Sequence, residues 1–264
     1  MARVRFEKYE GLGNDFILVE IDRAKLDANV VKRLCDRHFG IGADGVLLIE
    51  PPASVQSRAT MTVLNADGSQ PEMCGNGIRC VALYLAAKDG RSEVDFLIDT
   101  DSGVRTCKVT DGQVEVEMGA LVDLGSVDVT LDGRAHSFAQ VSSGNPHAIT
   151  FLPYEPVEID DVGPRVSVAS AFPQGTNVEF ARLVGDGSID LVVWERGVGR
   201  TMACGTGACA TVGAACLQGK RPFDTPIAVN LPGGTLRISV RRDSLAATMR
   251  GPAQPVFRGE VTLP

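Results

Sequence analysis

Cys74-Gly75-Asn76-Gly77 and Cys204-Gly205-Thr206-Gly207 decide how this chain is read. After the first, Ile78, Val81, Ala82, Leu85 and Ala86 recur at helical spacing, which predicts a helix over 75–88. After the second, the run from Gly205 to about Gln218 is built of small residues and reads as a second helix. Each thiol therefore sits at or just before a helix N-terminus. Unpaired N–H groups there carry about half a positive charge and favour a thiolate. Such a position can lower a cysteine pKa from about 8.5 into the range of about 3.5–7.5. The glycines let another group approach the backbone, so the same N–H groups can hold a carboxylate.

Outward from the first motif, short alternating or apolar runs predict strands at Val4–Phe6, Phe16–Ile21, Val46–Ile49 and Met61–Leu64 before it. A helix is expected over Asn29–Phe39. Strands at Val94–Ile98, Val104–Val109 and Val114–Met118 follow the motif, the last two joined by the hairpin signal Thr110-Asp111-Gly112. The second half has strands at Ser137–Val141, Ala148–Leu152, Val178–Leu183 and Ile189–Trp194, then its own motif and helix. Strands at Ile227–Leu231, Leu236–Val240 and Ala246–Met249 come after it. Each half is thus strands, a Cys-Gly-x-Gly turn opening one helix, then more strands: a repeat of arrangement rather than of period. Residues 119–133 read as a linker, and Leu152–Ser167, with three prolines, as an irregular excursion. The fold class is α/β of the α+β kind.

Two helix-opening thiols in two similar halves suggest a site at their interface. One thiolate would face one thiol across a substrate. That arrangement suits removal of a proton from one face of a carbon and delivery to the other, with sulfur pKa values near working pH. The substrate needs an acidic C–H, such as the α-carbon of an amino acid, and carboxylate capture at two helix starts would stabilise the developing charge.

The rest of the composition narrows the class. At about 150 residues per domain, 264 residues give one large domain or two small ones. With 26 basic and 33 acidic residues the net charge is −7, which argues against a nucleic-acid partner and against an anionic membrane surface. No run is apolar enough to span a membrane and the start has no hydrophobic signal core. The seven cysteines include no C-x-x-C pair, and no histidine lies at zinc-finger spacing from one, so no common zinc site is expected. Free thiols in a reducing cytoplasm are the expectation. Cys35, Cys80, Cys209 and Cys216 read as core, and Cys107 lies in an alternating strand.

Asn14, Asn65, Asn145, His147, Asn177 and the pair Glu195-Arg196 form a second polar set in loops and strand ends. Taken singly, each asparagine is more simply a turn former, His147 beside Pro146 is more simply structural, and Glu195-Arg196 is as readily a solvated pair.

Together, however, the motifs GLGNDF (Gly11–Phe16), NADGS (Asn65–Ser69), MCGNGIRC (Met73–Cys80), GNPH (Gly144–His147), TNVEF (Thr176–Phe180), ERGVG (Glu195–Gly199) and ACGTGACA (Ala203–Ala210) resemble those of the diaminopimelate epimerase family, in its order. The resemblance implies a PLP-independent epimerase of lysine and peptidoglycan-precursor synthesis, using neither cofactor nor metal, that interconverts LL- and meso-diaminopimelate. It implies that Cys74 and Cys204 are the acid/base thiols. Gly75, Asn76, Gly205 and Thr206 would give backbone N–H groups to the reacting carboxylate. Asn14 would lie at the site, and Asn65, Asn145, Asn177 and Arg196 would hold the remaining polar groups of the substrate, including its distal carboxylate. Glu195, also counted among the substrate-binding residues, and His147 would tune the thiol pKa values. The implied fold is two similar domains, each a mostly antiparallel sheet wrapped around a central helix, with the active site in the cleft between them. They would be 1–118, completed by the C-terminal strand 252–264, and 119–251. The chain departs from the family at Gly45, where some members carry Gln, at Arg200, where an acidic residue is common, and at Pro71 before Glu72. Monomer and homodimer stay open.

Two other readings remain at this point. A racemase for proline, hydroxyproline, histidine or another amino acid would keep the chemistry and change the substrate. A redox or binding protein would pair Cys74 and Cys204 in a reversible disulfide.

Overall fold

Phe16-Ile17-Leu18-Val19 carries no polar residue, the pattern of a strand covered on both faces, and all four side chains are buried. The structure is a computed structural model that describes residues 3–71 and 73–263; Met1, Ala2, Glu72 and Pro264 lie outside the described residues. In chain order the first part gives β1 (Arg3–Gly11), β2 (Asn14–Val19), α1 (Ala28–Cys35), β3 (Gly45–Glu50), β4 (Ser57–Asn65), α2 (Gly75–Lys88), β5 (Glu93–Thr100), β6 (Gly103–Thr110) and β7 (Gln113–Ala120). The second gives β8 (Val122–Leu131), β9 (Arg134–Ser142), β10 (Pro146–Thr150), α3 (Pro156–Ser167), β11 (Asn177–Leu183), β12 (Ile189–Glu195), β13 (Gly199–Arg200), α4 (Gly205–Leu217), β14 (Ile227–Leu231), β15 (Gly234–Val240) and β16 (Ala246–Pro252). β17 (Gln254–Thr262) closes the chain. Two compact units result, one of Met1–Val116 with Gly251–Pro264, the other of Glu117–Arg250.

In the first unit the ladder runs β17-β1-β2-β3-β4-β5-β6-β7, parallel at β2–β3 and β4–β5 and antiparallel elsewhere. α1 makes the crossover into one parallel pair and α2 into the other. In the second unit the ladder runs β8-β9-β10-β11-β12-β14-β15-β16, parallel at β10–β11 and β12–β14 and antiparallel elsewhere, with α3 and α4 as the crossovers. The same sequence of directions is built twice. The first position is filled by β8 in one unit and, in the other, by β17 from the far end of the chain.

The two-residue period of each strand divides it between two helices. Ile17, Val19, Val46 and Leu48 join Val31, Leu34 and Cys35 of α1 in one core cluster. Leu47, pointing the other way, meets the first turn of α2: a Cβ on Gly77 would stand 2.9 Å from its Cδ2. In the second unit Val178 and Phe180 join Ile159, Val162 and Val166 of α3, while Glu179 faces α4. α2 packs against β17 and β1 to β6, and α4 is buried from Gly205 through Cys216. α4, buried on every side, is built largely of the small residues Gly, Ala, Cys and Thr.

Three expectations are corrected. Residues 119–133 are not a linker: β8 pairs with β9, interrupted at Asp123/Ser126, where Gly125 (φ 82°) absorbs the irregularity. Leu152–Ser167 is not irregular throughout: α3 starts at Pro156, where a missing N–H costs nothing, behind a capping box of Glu155 and Glu158. The expected helix 29–39 ends at Cys35, because the Asp36 carboxylate accepts the N–H groups of His38 and Phe39 and turns the chain.

Candidate functional site

In the first unit Cys74 is the N-cap of α2, in extended conformation (φ −138°, ψ 106°), and its Sγ accepts the Gly77 N–H at 3.3 Å. Gly75 and Asn76 supply the first helical N–H groups, which have no partner within a helix. The Asn76 side chain donates to Asn14 Oδ1 at 3.2 Å, and Asn14 Nδ2 donates to Asp44 Oδ2 at 2.7 Å. Asp44 is held in turn by Arg37, at 2.7 Å, which also grips Asp15. Asn65, the last residue of β4, donates to Ser69 Oγ at 3.0 Å in the NADGS turn. Asn14, Cys74, Gly75 and Asn76 are thus brought together at the α2 cap, while Asn65 lies at the end of β4 opposite Gly45. At Gly45 no side chain fits, since a Cβ there would stand 2.7 Å from the Leu64 carbonyl oxygen.

In the second unit Cys204 caps α4 in the same way (φ −122°, ψ 110°), its Sγ accepting the Gly207 N–H at 3.4 Å with Thr206 Oγ1 also at 3.4 Å. Gly205 and Thr206 again offer the first-turn N–H groups. Glu195, the last residue of β12, accepts from Thr201 Oγ1 at 2.6 Å. Asn177, the first residue of β11, accepts the Arg196 N–H at 2.9 Å and donates to the Pro146 carbonyl. The Arg196 guanidinium donates to the Gln174 carbonyl at 2.7 Å and has no ion-pair partner among the described residues. His147 is buried with both ring nitrogens engaged: Nδ1 lies 2.7 Å from Glu179 Oε1 and Nε2 2.9 Å from Asn145 Oδ1. Arg200, the second departure, reaches Asp160 on α3.

Glu179 and Asp44 are missing from the sequence-level site. Glu179 lies in the TNVEF motif but within an apolar strand. Its carboxylate is wholly buried beneath α4, where a Cβ on Gly207 would stand 2.8 Å from Oε1. Only strand alternation, which turns it away from Val178 and Phe180, could have found it.

The electrostatics overturn one expectation. A helix start should lower a thiol pKa, yet the Cys204 thiol is pushed well above its ordinary value, first by burial and then by Glu195 and Glu179. The hydrogen bonds from Thr206 and Gly207 act in the opposite sense without prevailing. Glu195 and Glu179 are themselves raised, each chiefly by burial. Burial and the two carboxyl groups thus favour the thiol form of Cys204. Burial likewise pushes Cys216 to about 11 and Cys35 to about 12, and it raises Cys80, so these three are inert core thiols. All seven cysteines are unbridged. Among the described residues no group of three or more His, Cys, Asp or Glu is arranged to hold a metal ion.

Comparison with known proteins places this geometry among relatives. The family model for diaminopimelate epimerase matches residues 6–124 and 139–256. A diaminopimelate epimerase of Synechocystis sp. is 43% identical over 278 residues, covering 98% of this chain and 99% of the relative. A chloroplastic diaminopimelate epimerase of Oryza sativa subsp. japonica is 39% identical over 284 residues, covering 97% and 79%. Among solved structures, a hydroxyproline epimerase from Agrobacterium vitis superposes with a TM-score of 0.79 at 14% identity, over 98% of this chain and 92% of that one. A PhzF-family phenazine biosynthesis protein of Bacillus anthracis gives 0.73 at 15% identity, over the whole of both chains. At such identities the structural matches carry the fold alone.

Proposed function

The chain belongs to the diaminopimelate epimerase family, and from that premise we propose that Cys74 and Cys204 are the acid and base with which it interconverts LL- and meso-diaminopimelate. The observation that carries this reading is the matched pair of caps: two sulfurs in the same backbone conformation, each accepting the N–H three residues on at the start of an enclosed helix. The activity is that of an isomerase of lysine biosynthesis.

In the proposed mechanism one sulfur, as thiolate, takes the α-proton and becomes a thiol. The electron pair left on carbon spreads into the α-carboxylate. First-turn N–H groups of Gly75, Asn76, Gly205 and Thr206 receive that charge, strengthening as it develops. The other sulfur, as thiol, delivers its proton to the opposite face of the carbon and is left as thiolate. The configuration is inverted and the enzyme ends with its two sulfurs exchanged in protonation. No pyridoxal phosphate or metal enters this sequence. Asn14, Asn65, Asn145 and Asn177 hold the substrate's amino and carboxylate groups. The Arg196 fork takes the distal carboxylate, for which bidentate geometry suits it, and His147 and Glu195 set the protonation of the thiols. A reducing, cytoplasmic setting keeps both sulfurs free. Among the described residues no helix is long and apolar enough to cross a membrane.

The test is epimerisation of LL-diaminopimelate in deuterated water by Cys74→Ser and Cys204→Ser. Each variant is expected to lose about 10³-fold or more in kcat, within the range of positioned acid–base catalysis, with α-deuterium incorporation falling in step. Near-full turnover by either variant would overturn the assignment.

A further inference from the structure

Because one scaffold is built twice, each unit is a control for the other. β3 and β11 occupy the same place in their ladders, beside parallel neighbours β2 and β10. The third residue of β3 is Leu47, beneath Gly77; the third residue of β11 is Glu179, beneath Gly207, and both are fully buried. Phe16 stands opposite the first residue of β3, and His147 opposite the first residue of β11. β4 ends in Asn65, β12 in Glu195. At three equivalent ladder positions the uncharged Phe16, Leu47 and Asn65 of the first unit are thus matched by the titratable His147, Glu179 and Glu195 of the second.

A buried carboxylate is costly unless paired. Glu179 meets His147 at 2.7 Å, and the far nitrogen of that ring faces Asn145 Oδ1 at 2.9 Å. An amide oxygen only accepts, so Nε2 carries a hydrogen and the pair holds one further proton between Nδ1 and Oε1. The carboxylate end of this pair lies against the positive start of α4 and offsets the polarity that a helix start lends to an anion. Packing does not demand an acid there, since Leu47 fills the equivalent place in the first unit.

We propose that Glu179, held by His147, is a positioning residue that keeps Cys204 as the thiol of the resting enzyme, leaving Cys74 as the first base. This rests on the assignment of both cysteines to proton transfer. The groups facing Cys204 are Glu195 from β12, Glu179 from β11, and Thr206 and the Gly207 N–H from α4; His147 reaches it from β10 through Glu179.

The experiment compares the wild-type enzyme with Glu179→Gln, which keeps the shape, and Glu179→Leu, which copies the first unit. Alkylation by iodoacetamide is followed against pH, with peptide mapping to separate Cys204 from Cys74. The pH profile of kcat/KM is recorded on the same samples. In both variants Cys204 should titrate at least one pH unit lower, raising its alkylation rate at neutral pH about 10-fold, while Cys74 is unchanged. The basic limb of kcat/KM, which reports loss of the Cys204 proton, should move down by the same amount with the acidic limb fixed. A merely structural residue would lower kcat and leave both limbs in place. An unmoved Cys204 titration and basic limb in a folded Glu179→Gln would overturn this inference, and the proton-transfer assignment would still stand if the Cys→Ser variants are inactive. Active Cys→Ser variants would remove that assignment instead, whatever Glu179 does.

Discussion

Arg196 is the residue whose surroundings most plainly leave work undone. Its backbone is pinned by Asn177 and its side chain rests across the loop at Gly175, where a Cβ would come within 2.8 Å of Arg196 Cδ. One guanidinium nitrogen is spent on the Gln174 carbonyl. The rest of the fork is exposed and faces no carboxylate among the described residues. A hydrogen bond to a charged group contributes about 1.5–3 kcal/mol, so Arg196→Ala should raise KM for diaminopimelate roughly 10- to 100-fold. Arg196→Lys keeps the charge and loses the fork, and should give an intermediate rise. Because the distal carboxylate is remote from the reacting carbon, the loss should fall on KM more than on kcat, which steady-state assays of both variants would read. A KM unchanged in Arg196→Ala would mean that another group takes that carboxylate.

At the scale of single elements, α3 shows how packing overrides propensity. Gly163 lies in its interior, where Ala would ordinarily favour the helix by about 1 kcal/mol. Here a Cβ would stand 2.9–3.0 Å from Trp194 Cγ, Cβ and Cδ2. Overpacking a filled site costs about 1–3 kcal/mol, so Gly163→Ala should lower the unfolding free energy despite the better helix former, as a denaturant titration would measure. The same helix marks where the sequence stopped being legible. Pro153, Pro156 and Pro164 read as breakers, but Pro156 falls at the first helical position, where an N–H would have no partner in the helix, and that can be told only once the cap is known. β8 escaped because an edge strand with Val122 and Leu124 exposed shows no buried alternation. The helices α2 and α4 were legible because each carries its own start signal. Most strands were legible from runs such as Val46–Ile49, buried on both faces. Glu179 was not, since its partner His147 is brought beside it only by the parallel register of β10 and β11.

Over the molecule as a whole, the doubled ladder has one unequal feature with consequences for folding. The second unit draws its first strand, β8, from the residues just before β9. The first unit draws the equivalent strand, β17, from beyond the whole second unit, so it is incomplete until β17 is made. β17 pairs with β1 from Arg3↔Thr262 to Glu10↔Gln254. Gly259 lies so close to Phe6 that a Cβ would stand 2.9 Å from its ring, and Leu263 joins the α1 core cluster. The carbonyl of Pro252 accepts from the buried Arg79 on α2 at 3.1 Å. Removing residues 251–264 would uncover Phe6, strip Arg79 of that partner and leave β1 without its β17 neighbour. The truncated chain should therefore lose the first unit while the second, with its ladder intact, persists. Thiol labelling would read this residue by residue. Cys35, Cys80 and Cys107, buried in the full chain, should become reactive, and Cys209 and Cys216 should stay protected. Labelling of Cys80 and Cys107 as slow as in the full-length protein would show that the first unit closes without β17.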